Sequence, residues 1–202
     1  MKTAILTLSI FFMALASCSD KNDSDIAEGT NEAYINATSK TDWQYFSLSE
    51  NKLVGSGAES EADNQAWAAR KDWDFAVCSY KIRTNSGAAT SASAAGGVFA
   101  FGQNTDFNSV NELPFGAAFA TDKAITQEGM SGTTTTVMSD ATVILFKLDD
   151  EGNKIMPPVY LQAPLYLFRT ADGERIYKLQ FTQYQNEDKV SGHVKFYFAR
   201  IQ

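Results

Sequence analysis

From residue 34 onward the apolar positions of this chain recur mainly with a period of two, the spacing that sends alternate side chains to one face of a β-strand. The C-terminal third carries the pattern most plainly. Leu165 to Arg169 reads as a strand, Ala171-Asp172-Gly173 as a turn, and Arg175 to Tyr184 as a second strand. Asn186-Glu187-Asp188 is a further turn, and His193 to Ile201 a third strand, all rich in aromatic and β-branched residues. That succession predicts an antiparallel meander. Upstream, Thr142 to Leu148 and Lys154 to Leu161 flank the turn Asp149 to Asn153 and predict a hairpin. Asp74 to Ile82 predicts one strand with Ala76, Cys78, Tyr80 and Ile82 on a shared face, which makes Cys78 a small buried hydrophobe. Thr84 to Gly97, rich in Gly, Ala and Ser, predicts a long loop, and only Glu59 to Ala69 has helical composition. With no internal repeat and no second linker, the expected fold is mainly β, a single antiparallel domain over residues 34–202.

The first 33 residues break this pattern. Lys2 is followed by an apolar run from Ala4 to Ala16, interrupted only by Thr7 and Ser9, which has the make-up of a secretory signal and is too short for a transmembrane helix. The run ends in Leu15-Ala16-Ser17-Cys18, the pattern of a bacterial lipobox. Cleavage before Cys18 and acylation of that residue would anchor the protein without spanning the membrane, each buried CH₂ contributing about 0.8 kcal/mol. Residues 1–17 are therefore expected to be a lipoprotein signal peptide. Residues 18–33 are expected to be the lipidated cysteine and a flexible tether that opens with the acidic stretch Ser19 to Asp25. Acidic residues directly after such a cysteine resemble the signal that exports lipoproteins to the outer face of the outer membrane in some anaerobic Gram-negative bacteria.

Charge and residue counts narrow the chemistry. The formal net charge is −7, and residues 1–17 hold one cation, Lys2, and no acid, so their removal leaves −8. No Lys/Arg cluster interrupts this acidity, which argues against nucleic-acid binding. With Cys18 lipidated, Cys78 has no partner for a disulfide and no cysteine-based zinc site exists. The single histidine, His193, excludes a two-histidine metal site and alternates with Lys195 and Tyr197 on what reads as the solvent or half-buried side of a sheet. No phosphate-binding glycine loop, Gly-x-Ser-x-Gly elbow or dinucleotide fingerprint is present. Catalytic carboxylate pairs have no fixed spacing, so a carboxylate hydrolase remains a minor alternative. Three methionines follow the signal. Met130 lies in the polar segment Gly129-Met130-Ser131-Gly132, Met156 precedes Pro157-Pro158, and Met138 looks like the start of a strand. The two amide-free prolines should bend the chain away from a sheet after Met156, and Met130 has no apolar neighbours at strand spacing, so these two read as loop residues, the alternative for each methionine being a gap-filling side chain in a core.

Trp43-Gln44-Tyr45-Phe46-Ser47, Trp73-Asp74-Phe75-Ala76, Arg83-Thr84-Asn85-Ser86-Gly87, Gly96-Gly97-Val98, Arg169-Thr170-Ala171-Asp172-Gly173 and Lys178-Leu179-Gln180 follow one another in that order. Together, from about Tyr34 to Gln202, they resemble the HmuY family of haem-binding surface lipoproteins. The resemblance implies an all-β, hand-shaped fold with extended hairpins that grip haem (iron protoporphyrin IX). It implies capture of haem outside the cell, with host haemoproteins as candidate donors, and transfer to a TonB-dependent outer-membrane receptor. The expected location is the outer membrane, facing the exterior through the lipid anchor, with a released soluble form as a further candidate. The founding member holds iron between two histidines, which this chain lacks, whereas other members use two methionines. Matching the ligand-bearing segments places the axial ligands at Met130 and Met156, with Met138 as a substitute for Met130. Val137, Val159 or Tyr160 could wall the porphyrin, and Lys123, Lys147 and Lys154 are equal candidates for its propionates. The rival expectation is a surface glycan-binding lipoprotein, which would present Trp43, Trp67 or Trp73 as an exposed platform.

Overall fold

The computed structural model describes residues 29–129 and 132–202. In chain order the strands are β1 (Asn31–Asn36), β2 (Asp42–Ser47), β3 (Lys52–Ala58), β4 (Phe75–Cys78), β5 (Lys81–Thr84), β6 (Gly97–Ala100), β7 (Lys123–Gly129), β8 (Gly132–Met138), β9 (Ile144–Phe146), β10 (Tyr160–Gln162), β11 (Tyr166–Arg169), β12 (Ile176–Gln185) and β13 (Ser191–Arg200). Two short helices, α1 (Glu61–Ala68) and α2 (Gly87–Thr90), interrupt them. A five-stranded sheet runs β1-β13-β12-β11-β6 and a four-stranded sheet runs β3-β2-β4-β5; all the pairings are antiparallel. The expected meander is β11-β12-β13, and β1 begins slightly ahead of the boundary at residue 34.

Strict alternation lets each sheet bury two faces. Phe75 and Val77 of β4, Phe168 of β11, Leu179 and Phe181 of β12, and Val194, Phe196 and Phe198 of β13 meet in a core between the sheets. The alternate residues of β2 and β4, Trp43, Tyr45, Ala76 and Cys78, face the opposite way and pack with Trp67, Trp73 and Met138. Leu167 and Ile176 turn away from the central core on the other sheet and are covered by Val110, Phe99 and Phe107. Helix α1 closes the Trp cluster. Ser60 caps it by accepting the Asp63 N–H at 3.2 Å, and Trp67 lies so close over β3 that a Cβ at Gly57 would collide with its ring nitrogen.

Two expectations change. Asp74 to Ile82 is a hairpin, because Ser79 takes a positive φ of 56° and the chain reverses, pairing Cys78 with Lys81. Reversal resets the alternation, so Ile82 joins Phe75 and Val77 in the central core while Cys78 stays with the tryptophans. Met138 is the last residue of β8, not the first of the next strand. Cys78 is buried, as expected. The segment from Thr84 to Gly97 is packed: Asn85, Ser86 and Ser91 are buried polar residues, and the Ser91 hydroxyl donates to the Ala68 carbonyl at 2.8 Å. No helix among the described residues is long and apolar enough to cross a membrane.

Candidate functional site

Two hairpins, β7-β8 and β9-β10, pair only within themselves and join neither large sheet. Their bases are nonetheless anchored. Asp122, the residue before β7, accepts the Thr84 N–H at 3.0 Å and the hydroxyls of Thr84 and Thr90, each at 2.6 Å. Arg83, buried in β5, donates from Nε to the Val137 carbonyl of β8 at 2.9 Å and from its other nitrogens to Asn64 and Glu59. Its guanidinium also lies 4.2 Å from the Trp43 ring. Burial pushes the Glu59 carboxyl up, but the hydrogen bonds from Trp43, Arg83 and Asn64 and the Arg83 charge outweigh it and hold the group below its usual value. Ser139, after β8, donates its hydroxyl to the Ile82 carbonyl at 3.0 Å, and Tyr166 holds the Thr142 backbone from both sides.

The Asp122 anchor has a pH signature. Burial raises its carboxyl to about 6, against the hydrogen bonds from Thr84 and Thr90. In the window between its ordinary value of 3.8 and about 6 the folded chain keeps a proton that the unfolded chain has lost. The stability contributed by this group is therefore full below the lower value and lost as pH rises through the upper one, a change of at most about 3 kcal/mol. Asp122→Asn removes this titration. Urea unfolding of both proteins at about pH 4 and pH 7 should show the stability of the wild type, relative to the variant, falling as pH rises.

The second hairpin is built differently on its two faces. Its register pairs Tyr160 with Phe146, Leu161 with Leu145 and Gln162 with Ile144. Ile144, Phe146 and Tyr160 pack on the central core, leaving Leu145 and Leu161 on the other face. Beyond β9, Lys147 donates its N–H to the Val159 carbonyl at 2.9 Å and accepts the Ile155 N–H at 3.2 Å. The three residues between, Met156-Pro157-Pro158, bulge out opposite Lys147, with prolines that have no N–H to return to a ladder. Leu148, Met156, Val159 and Leu161 are all exposed, so this one hairpin holds much of the large apolar surface that the described residues show to solvent. A cleft of about 190 Å³ lies at the junction of the two hairpins, lined in part by Ala120, Asp140, Thr142 and Leu145. A second cavity of about 300 Å³ lies between β10 and β12.

Met156 is 76% exposed, its thioether presented on the bulge of the second hairpin. Met130, between β7 and β8, lies outside the described residues, as does Cys18. Met138 is only 7% exposed and committed to the Trp cluster. Val159 is exposed on the outer face of the second hairpin, Val137 is half-buried on the first, and Tyr160 faces the core. Lys123 pairs with Asp140 at 2.7 Å, and Lys154 stands 3.9 Å from the Phe146 ring centre on the core-facing side. His193 is on the outer side of β13, hydrogen-bonded through Nδ1 to the Tyr34 hydroxyl at 2.6 Å. Trp43, Trp67 and Trp73 are all buried, so they form no exposed platform for sugar rings. Among the described residues no cluster of three or more His, Cys, Asp or Glu side chains could hold a bare metal ion.

Sequence reasoning missed Leu145, Leu161 and Asp122. The alternation of Ile144, Leu145, Phe146 and Lys147 is weak because both faces of β9 are apolar, and an acid before a strand carries no local mark of burial.

A neutral, soft donor exposed beside an apolar face suits an iron porphyrin, which needs a weakly hydrated wall and an axial ligand. The cleft of about 190 Å³ is below the roughly 300–1,000 Å³ of ordinary ligand pockets, so such a ligand would need the space between the hairpins as well.

The family model described as HmuY protein matches residues 39–198. No curated protein gives a match. Among solved structures, a candidate HmuY-like haem-binding protein of Bacteroides vulgatus aligns with a TM-score of 0.61 at 22% identity, covering 85% of this chain and 91% of that one. The apo HmuY analog of Tannerella forsythia aligns with a TM-score of 0.57 at 23% identity, over 85% of this chain and 95% of that one. Apo PinO from Porphyromonas gingivitis aligns at 0.58 and 18% identity, over 87% and 99% of the two chains. At these identities the likeness is one of fold.

Proposed function

The chain belongs to the HmuY family, and from that premise we propose that it is a haem-binding surface lipoprotein, acting without catalytic turnover. It captures haem outside the cell, anchored to the outer membrane through acylated Cys18, and passes it to a TonB-dependent receptor. Met156 on one hairpin and Met130 on the other are its axial ligands. The observation that carries this reading is the second hairpin, which presents an exposed methionine next to exposed Leu148, Val159 and Leu161 on a fold of the HmuY family. A folded protein gains nothing by leaving such apolar surface in water unless something covers it. Two thioethers supply soft, uncharged ligation that favours ferrous over ferric iron.

The test is an absorbance titration of the full chain in detergent with haem, before and after dithionite. The expected result is a Soret shift that saturates at one haem per chain and is tighter in the reduced state. No shift in either state would reject the proposal, and calorimetric titration with soluble oligosaccharides would then address the glycan-binding alternative.

A further inference from the structure

The cations of the two hairpins are not equivalent. Lys123 is already neutralised by Asp140, and Lys154 is held over the Phe146 and Tyr80 rings, on the side of the hairpin that packs against the core. Lys147 is different. It is exposed, and among the described residues its ammonium has neither an acidic nor an aromatic partner. Alternation along the strand puts Leu145 and Lys147 on one face and Ile144 and Phe146 on the other. The cross-strand partners of the first pair are Leu161 and Val159. The solvent face of the hairpin is thus an apolar strip that ends in one free cation. The backbone of Lys147 also receives both ends of the bulge that carries Met156, so cation and thioether stand across from each other on the same hairpin.

Resting on the haem reading, the geometry points to Lys147 as the residue that pairs with a propionate carboxylate of the porphyrin, and to the Leu145–Leu161 face as the wall on which the ring lies. An amphipathic ligand with an apolar plane and carboxylates at one edge matches an apolar strip bounded by a single ammonium. The pairing would select porphyrins that carry free acids.

The experiment titrates the full chain with iron protoporphyrin IX and, separately, with its dimethyl ester, for the wild type, Lys147→Ala, Lys147→Arg, Lys123→Ala and Lys154→Ala. Lys147→Ala should weaken the diacid about tenfold while leaving the ester unchanged, since a charge-assisted hydrogen bond is worth that much or more. Lys147→Arg should restore most of the loss, and the other two alanine variants should bind both porphyrins like the wild type. Thermal unfolding should be unchanged in both Lys147 variants, because Lys147 is exposed. Equal weakening of diacid and ester, no weakening of either, or a diacid-selective loss in Lys123→Ala or Lys154→Ala would each overturn the assignment while leaving haem binding intact. A wild type that binds neither porphyrin would overturn the haem reading itself and this assignment with it.

Discussion

Replacing Met156 by alanine is expected to weaken haem binding by at least about tenfold, or about 1.4 kcal/mol, and to leave a spectrum of five-coordinate haem. The side chain is 76% exposed, so its removal should leave the unfolding midpoint of the apo protein where it was. Loss of binding without loss of stability is what separates a ligand from a packing residue. Met138 provides the contrast. It is packed with Trp43, Tyr45, Trp67 and Trp73, and Met138→Ala should cost about 2–5 kcal/mol of stability through the cavity it leaves, with the spectrum of bound haem unchanged. Met156→His should shift preference toward ferric haem, because imidazole is the harder ligand. If Met156→Ala binds haem with wild-type affinity and spectrum, the iron is held elsewhere.

Arg83→Ala is expected to cost about 3 kcal/mol of folding stability, read from the midpoint of urea unfolding with an unchanged slope. Its guanidinium is buried and spends its nitrogens on three elements at once: Glu59 at 2.9 Å, Asn64 at 2.8 Å and the Val137 carbonyl at 2.9 Å. Removing it takes this donor from the Val137 carbonyl and the counter-charge from the Glu59 carboxylate, which keeps only its bonds from Trp43 and Asn64. Because the Glu59 side chain is 31% exposed and partly rehydrates, the loss should fall at the low end of the range for broken buried pairs. Arg83→Lys should not rescue the loss, since one ammonium cannot reproduce three directed donors above the Trp43 ring. Amide exchange along β8 should also speed up in Arg83→Ala, because the bond to Val137 is one of the ties between the first hairpin and the four-stranded sheet. A loss below about 1 kcal/mol would mean that this network behaves like a surface ion pair.

The meander of β11, β12 and β13, the helix at Glu61–Ala68 and the burial of Cys78 were all legible in the sequence, because period-two alternation and helical composition are local properties of the chain. The hairpin between Thr142 and Leu161 was legible as well, although regular pairing is confined to Ile144–Phe146 and Tyr160–Gln162. There the paired prolines after Met156 already signalled a departure from the ladder. Other features were set only by contacts between distant segments. The reversal at Ser79 depends on one backbone angle, which an alternating stretch does not encode, and it moves Ile82 from the face of Cys78 to the opposite one. Met138 and Met156 are chemically identical and both follow a short run of mixed residues. One is buried because the end of β8 comes to rest against tryptophans more than sixty positions away in sequence, and the other is exposed because its bulge leaves the hairpin. Asp122 has its carboxyl raised by burial where it meets Thr84 and Thr90, whose hydrogen bonds pull the other way, across a gap that no local pattern spans. Alternation tells which residues share a face of a strand; what lies against that face, and whether a side chain on it meets solvent or core, depends on how the sheets and hairpins come together.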